Sequence, residues 1–203
     1  MKKIFVILST ICLMLTGCEK NKPVLVEPIA QMNVENVVSM DREAMFLNYG
    51  EDYRWYETCV LLKDYLDEDS DGSFVMVTNI FQAILDKTET SCDTYVVKFQ
   101  HIGDSTITES VHSFWVEDCP LETEVINLTY EQAFQRIQEV NYPKPHSKHC
   151  ILRKPVGPKD CNPQWVFGNI RMQIWVDAVT GEVKDSNPAF DGYNLGTPLG
   201  EWP

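Results

Sequence analysis

The sequence predicts an α+β fold, with helices packed on an antiparallel meander sheet in two related helix-plus-strand halves. Three observations carry this. Between Tyr53 and Cys119, runs rich in β-branched and aromatic residues are separated by Gly, Asp and Ser clusters, the composition of short strands and their turns. Thr129-Tyr130-Glu131-Gln132 has the capping-box pattern of a helix start. After it the chain returns to strand-like runs, so the order helix then strands occurs twice along the 203 residues.

The first 17 positions stand apart from both halves. Lys2 and Lys3 precede an apolar run from Ile4 to Leu15, then Thr16-Gly17-Cys18. A basic start, a short apolar stretch and small residues before a cut describe a secretory signal, and the run is too short for a comfortable membrane span. Leu15-Thr16-Gly17-Cys18 resembles a bacterial lipobox. The resemblance implies that Cys18 becomes the lipidated first residue of an envelope protein, facing the periplasm or the cell surface. Residues 18–32 then read as a tether, because Pro23 and Pro28 oppose a helix. Such a lipid holds a domain at a membrane without spanning it. Without the leader's two lysines, 15 basic residues remain of 17, against 30 acidic ones. That balance argues against nucleic acid, whose phosphates demand a basic face, and leaves membrane attachment to the lipid.

The first half spans 33–127. A helix over 41–48, closed near Gly50, is followed by strands over 53–66, 73–84, 92–102 and 109–119. Centring the last turn between Ser105 and Thr106 pairs residues whose numbers sum to 211. That places Tyr95, Val97 and Phe99 opposite Val116, Phe114 and His112 on a core face, with Trp115 on a mostly polar outer face beside Val96 and Glu117. His101 and His112 then lie diagonally near the core edge, as caps rather than catalysts. The same register opposes Cys92 and Cys119, and an oxidising compartment favours a disulfide between them. Cys150 and Cys161 flank a Pro- and Gly-containing connection symmetrically, so a second disulfide is expected there. Cys59, mid-strand, is left as a buried free thiol.

The second half spans 128–203. Tyr130, Ala133, Phe134, Ile137 and Val140 recur at helical spacing and Pro143 ends the run. Strands are expected over 149–153, 164–167, 170–178 and 182–184, before an irregular tail from Ser186. The run Ile174-Trp175-Val176-Asp177-Ala178-Val179-Thr180-Gly181-Glu182-Val183 resembles the last hairpin of PepSY-type domains. Asp177 and Thr180 can bond local backbone there, and Gly181 suits a left-handed turn position. The arrangement is also similar to β-lactamase-inhibitor-like proteins with tandem helix-plus-sheet units. These resemblances imply non-enzymatic binding, or inhibition, of another exported protein, and carry over no catalytic residue.

Motifs with chemistry are sparse. Asp67, Asp69, Asp71 and Gly72 begin like a calcium loop, but its twelfth position is Thr78, where a bidentate carboxylate is needed. An acidic turn is the expectation. His146, His149 and Cys150 are compactly spaced, with no second ligand cluster, so no metal and no cofactor are expected. Arg171, Gln173, Trp175 and Asp177 share one face of the 170–178 strand, opposite Ile170, Met172, Ile174 and Val176. Trp115, Trp175, Arg171 and Gln173 are the candidate partner-binding residues, although either tryptophan could instead pack beneath the tail. The expected function is protein binding at the envelope. The alternatives are a glycan-binding accessory lipoprotein using the tryptophans as platforms, or a hydrolase with two facing carboxylates.

Overall fold

The computed structural model describes residues 33–84, 95–112, 119–155 and 162–186. Helix α1 is Val34–Tyr49. The Asn33 side chain accepts a hydrogen bond from Asn36 N–H at 2.8 Å, and Gly50 at φ +84° ends the helix with its N–H on Phe46 O. Val34, Val37, Val38, Asp41 and Met45 form its buried stripe. The helix therefore begins before the expected 41–48: Val34, Val37 and Val38 have weak helix propensity, and this first stretch is helical through its cap and its packing.

Strands β1 (Tyr53–Leu62), β2 (Phe74–Ala83), β3 (Val96–Ile102) and β4 (Ser105–Val111) make the first meander. Helix α2 (Tyr130–Glu139) follows, then β5 (His149–Arg153), β6 (Gln164–Asn169), β7 (Met172–Asp177) and β8 (Val183–Ser186). The strands join in one antiparallel sheet of order β4-β3-β2-β1-β5-β6-β7-β8. The α+β class and the meander are as expected. Both helices bury into a single core, which also holds Trp55, Leu62, Val77, Phe99, Leu152 and Ile174 from the strands. Both therefore lie on one face of the sheet.

The α2 capping box is formed in both directions: Thr129 Oγ1 accepts from Gln132 N–H at 3.2 Å, and Thr129 N–H donates to Gln132 Oε1 at 2.9 Å. Tyr130, Ala133, Phe134 and Ile137 face inward, where Tyr130 packs edge-on against Phe74 and Trp165. Its hydroxyl donates to Gly72 O at 2.7 Å. Gly72 sits at φ +75°, and a Cβ there would fall 2.8 Å from the Phe134 ring. The acidic turn is thus pinned to α2 by a residue that must be glycine.

The β3–β4 hairpin corrects the expected register. Its turn is Gly103-Asp104, with Ile102 opposite Ser105 and Val96 opposite Val111, so β4 starts four residues before the expected 109. Gly103 at φ +54° allows a two-residue loop matched to strand twist, and this outweighs the aromatic pairing that the longer turn would have made. Val97 and Phe99 face the core as expected. Tyr95 meets His112 edge-on at 6.2 Å instead of Val116. His101 pairs with Thr106, so the two histidines lie at opposite ends of the hairpin.

The cysteine expectations change with it. Cys119 is a free thiol, and its backbone forms an isolated antiparallel bridge with Lys154, just beyond β5. Cys150 is also free and fully buried, because the alternation of β5 turns it and Leu152 into the core beneath the helices, between Val60 and Phe167 on the neighbouring strands. Neither expected disulfide engages these two cysteines; Cys92 and Cys161 lie outside the described residues, as does Trp115. Cys59 is the buried free thiol expected of it.

Candidate functional site

With both helices on one side, the opposite face of the sheet carries the chemistry that the core does not use. Cross-strand pairing aligns one row across seven strands: Glu109, Lys98, Ile80, Glu57, Arg153, Gln164 and Asp177. Charges in this row alternate in sign, which favours directly opposed pairs. Glu57 is 1 % exposed, and Arg153 and Gln164 are also buried. The row emerges at its two ends. At one, Lys98 Nζ lies 3.6 Å from a Glu109 carboxylate whose side chain is 58 % exposed. At the other is Asp177, half-buried.

Asp177 organises its end. Its Oδ1 accepts from Val179 N–H at 2.9 Å and Thr180 N–H at 2.8 Å, and its carboxylate also takes the Asn162 and Gln164 side-chain amides. Gly181 at φ +75° and the Thr180 hydroxyl, which accepts from Glu182 N–H at 3.2 Å, complete the turn read from the sequence. Burial alone would raise the Asp177 pKa, but the hydrogen bonds from Thr180, Asn162, Val179 and Gln164 outweigh it and hold it below the usual carboxylate range. A carboxyl depressed on folding stabilises above its unfolded pKa, and that contribution is lost as pH falls through the folded value. The urea midpoint of the native chain should therefore drop more steeply than that of Asp177→Asn below about pH 4. Equal slopes from pH 5 to 2.5 would show that this carboxylate is not linked to folding.

Trp175 neighbours Asp177 on this outer face, cross-strand from Val166 and Lys184. It is half-buried, and its indole N–H donates to Gln173 Oε1 at 3.1 Å. Gln173 itself is buried. Arg171 is the departure from expectation. The strand begins at Met172, and Ile170-Arg171 form the tight turn, in which Asn169 Oδ1 accepts from Arg171 N–H at 2.9 Å. Gln173, Trp175 and Asp177 share a face without it, and Ile170, expected on the buried side, is 56 % exposed.

Cys59 lies on the same outer face and donates to Glu57 Oε1 at 2.9 Å. Burial, and then the Glu57 carboxylate, push its pKa well above the ordinary thiol value, so it is no nucleophile. His149, with its pKa lowered by burial, lines a depression beside Cys59, Leu61, Met76 and Thr78 that holds no more than about one water. His146 is stacked on Tyr65 at 4.0 Å between ring centroids, and Cys150 faces the core, so the three do not form a ligand set. Among the described residues no group of three His, Cys, Asp or Glu side chains could hold a metal. In the calcium-like loop, Asp67 and Asp71 accept local N–H groups from Asp69 and Ser73.

A second polar cluster lies under α1. Asp41 accepts from His101 Nε2 at 2.8 and 2.9 Å and from Asn79 Nδ2 at 2.7 Å, while Thr106 Oγ1 meets His101 Nδ1 at 3.0 Å. Acid, imidazole and hydroxyl are also the parts of a hydrolytic triad. Here Asn79 and the ring occupy the acid, and His101 is 1 % exposed beneath a helix, so substrate has no approach to the ring. Its work is to pin α1 to the sheet. On the outer face, Glu57 and Asp177 are three strands apart in the row, about 14 Å, beyond the separation at which two carboxylates act on one glycosidic bond.

Comparison with known protein families, with characterised proteins and with solved structures gave no match.

Proposed function

We propose that this chain is a lipid-anchored bacterial envelope protein whose sheet binds another exported protein, without catalysing a reaction. The observation that carries the reading is the charge row on the helix-free face where it emerges at its two ends, at Lys98 and exposed Glu109 on one side and at Asp177 beside Trp175 and Lys184 on the other. A sugar-stacking platform calls for an open, flat ring, whereas the Trp175 ring is half-buried with its N–H engaged. Arrangement of the chain supports two related halves of PepSY-like type: four meander strands follow each helix, and their first strands, β1 and β5, pair at the centre of the sheet. The lipobox-like Leu15–Cys18 supports anchoring through lipidated Cys18.

Two measurements on the full chain in envelope membranes test this. Cys18→Ser should move the protein from the detergent phase to the aqueous phase; an unchanged partition removes the lipid anchor. A photocrosslinking residue at position 175 should capture one defined exported protein, and the same residue at exposed Glu43 on α1 should not. Equal capture from both positions, or glycan retention with no protein captured, would displace the protein-binding reading.

A further inference from the structure

The two edges of the sheet are built differently. β8 is four residues long and exposes Lys184 and Asp185. A short, charged edge strand discourages further pairing. β4, at the other end, has seven residues, STITESV, with one charge, no lysine, no proline and no register shift against β3. Ser105, Ile107, Glu109 and Ser110 are exposed, Ile107 by 52 %. Among the described residues, β3 alone pairs with this strand. Val111 O accepts from Tyr95 N–H on the β3 side. By the period of two, Thr106, Thr108 and Ser110 then turn their backbone groups outward. Those groups form an open template on a strand that lacks the usual protections.

We propose that the outer edge of β4 is a strand-addition site for an extended, basic segment of a partner protein. The occupant's chemistry follows from the row that the edge continues. Lys98 is followed by Glu109, so the next seat along the alternation, directly opposite Glu109, takes a positive side chain. Two positions away on the same face, exposed Ile107 and its diagonal neighbour Ile102 take an apolar one. On the helix side the seats face Thr106, Thr108 and Ser110 and suit small polar residues. Backbone hydrogen bonds supply the affinity in such additions and alternate side chains the specificity. A chain with 30 acidic against 17 basic residues attracts a basic segment over distance. This inference rests on the protein-binding reading and names a surface and partner chemistry for it.

The test uses the full chain and two synthetic peptides of alternating sequence, Thr-Lys-Thr-Val-Thr-Lys-Thr and the same with Glu for Lys. The lysine peptide should bind and the glutamate peptide should not. Thr108→Pro removes an outward N–H while sparing the β3 ladder, and should weaken binding at least about tenfold with an unchanged circular dichroism spectrum. Glu109→Gln should erase the preference between peptides, and serves if the proline variant does not fold. Equal binding of both peptides by the native chain, or undiminished binding by folded Thr108→Pro, overturns the proposal. So does a dimer in sedimentation that Thr108→Pro dissolves, since the edge would then belong to a second copy. Failure of the peptides while position 175 still captures its partner would reject the edge and leave the protein-binding reading standing.

Discussion

Asp41→Ala is expected to lower folding stability by about 3–5 kcal/mol, the range for removing one partner from a buried, hydrogen-bonded charge site. Asp41 is 3 % exposed on α1, and its carboxylate ties that helix to two different strands, β2 through Asn79 and β3 through His101. The network extends further: Asn79 accepts from Thr58 Oγ1, and Thr58 accepts from Trp55 Nε1 at 3.1 Å. Truncation to alanine leaves the buried Asn79 amide and His101 ring without the acceptor they share. Asp41→Asn, which keeps the shape and one acceptor, should cost less, about 1–3 kcal/mol. Urea unfolding at neutral pH measures both, with stability changes read from the midpoint at constant slope. A loss below about 1 kcal/mol in the alanine variant would mean that apolar packing alone holds α1 in place.

The parts legible in the sequence were those whose cause is local. Thr129 and Gln132 sit three apart and satisfy each other, so α2 and its cap could be read directly. The β5 boundaries, His149–Arg153, were equally plain, and the turn chemistry of Asp177, Thr180 and Gly181 needed only the residues between β7 and β8. Register was different. Sums of 211 and 207 differ by an even number, so both keep Val97 and Phe99 on the same face, and alternation is blind to the choice. Only the turn decides, and Gly103-Asp104 is the shorter loop. The expected Cys92–Cys119 pairing rested on the 211 register, and Cys119 is a free thiol. Asp41 and His101 are 60 residues apart, and the charge row draws single residues from seven strands, so neither could be seen before the strand order was known. The row did leave a trace: Glu57 and Lys98 each sit as a charge within a largely apolar run, and Arg153 closes one. α1 was half-seen because Asn33 caps a stretch that reads as β-branched.

Trp165→Ala should be the most damaging single change in the second half, at about 3–5 kcal/mol. Trp165 is 1 % exposed, packs edge-on against Tyr130 at 5.8 Å, and donates its indole N–H to Leu128 O at 3.1 Å, just ahead of the α2 cap. Removing it opens a cavity between helix and sheet and leaves the Leu128 carbonyl without that donor. Against a typical total of 5–15 kcal/mol, this is a large share. The variant also asks how the proposed halves fold. One core runs through both helices and the strands of both meanders, and β1 pairs with β5 across the centre, so the unfolding of one half exposes the inner edge and core face of the other. Cys59 on β1 and Cys150 on β5 are buried thiols, one in each half, that a residue-resolved labelling experiment can follow separately. Their labelling by a thiol reagent in urea, read residue by residue by mass spectrometry, should follow one midpoint, and Trp165→Ala should move both together. If Cys59 stays protected in the variant while the second half unfolds, the two meanders are separate cooperative units that share a sheet only in the native state. Coincident shifts would mean that the β1–β5 seam and the common core make both meanders a single folding unit.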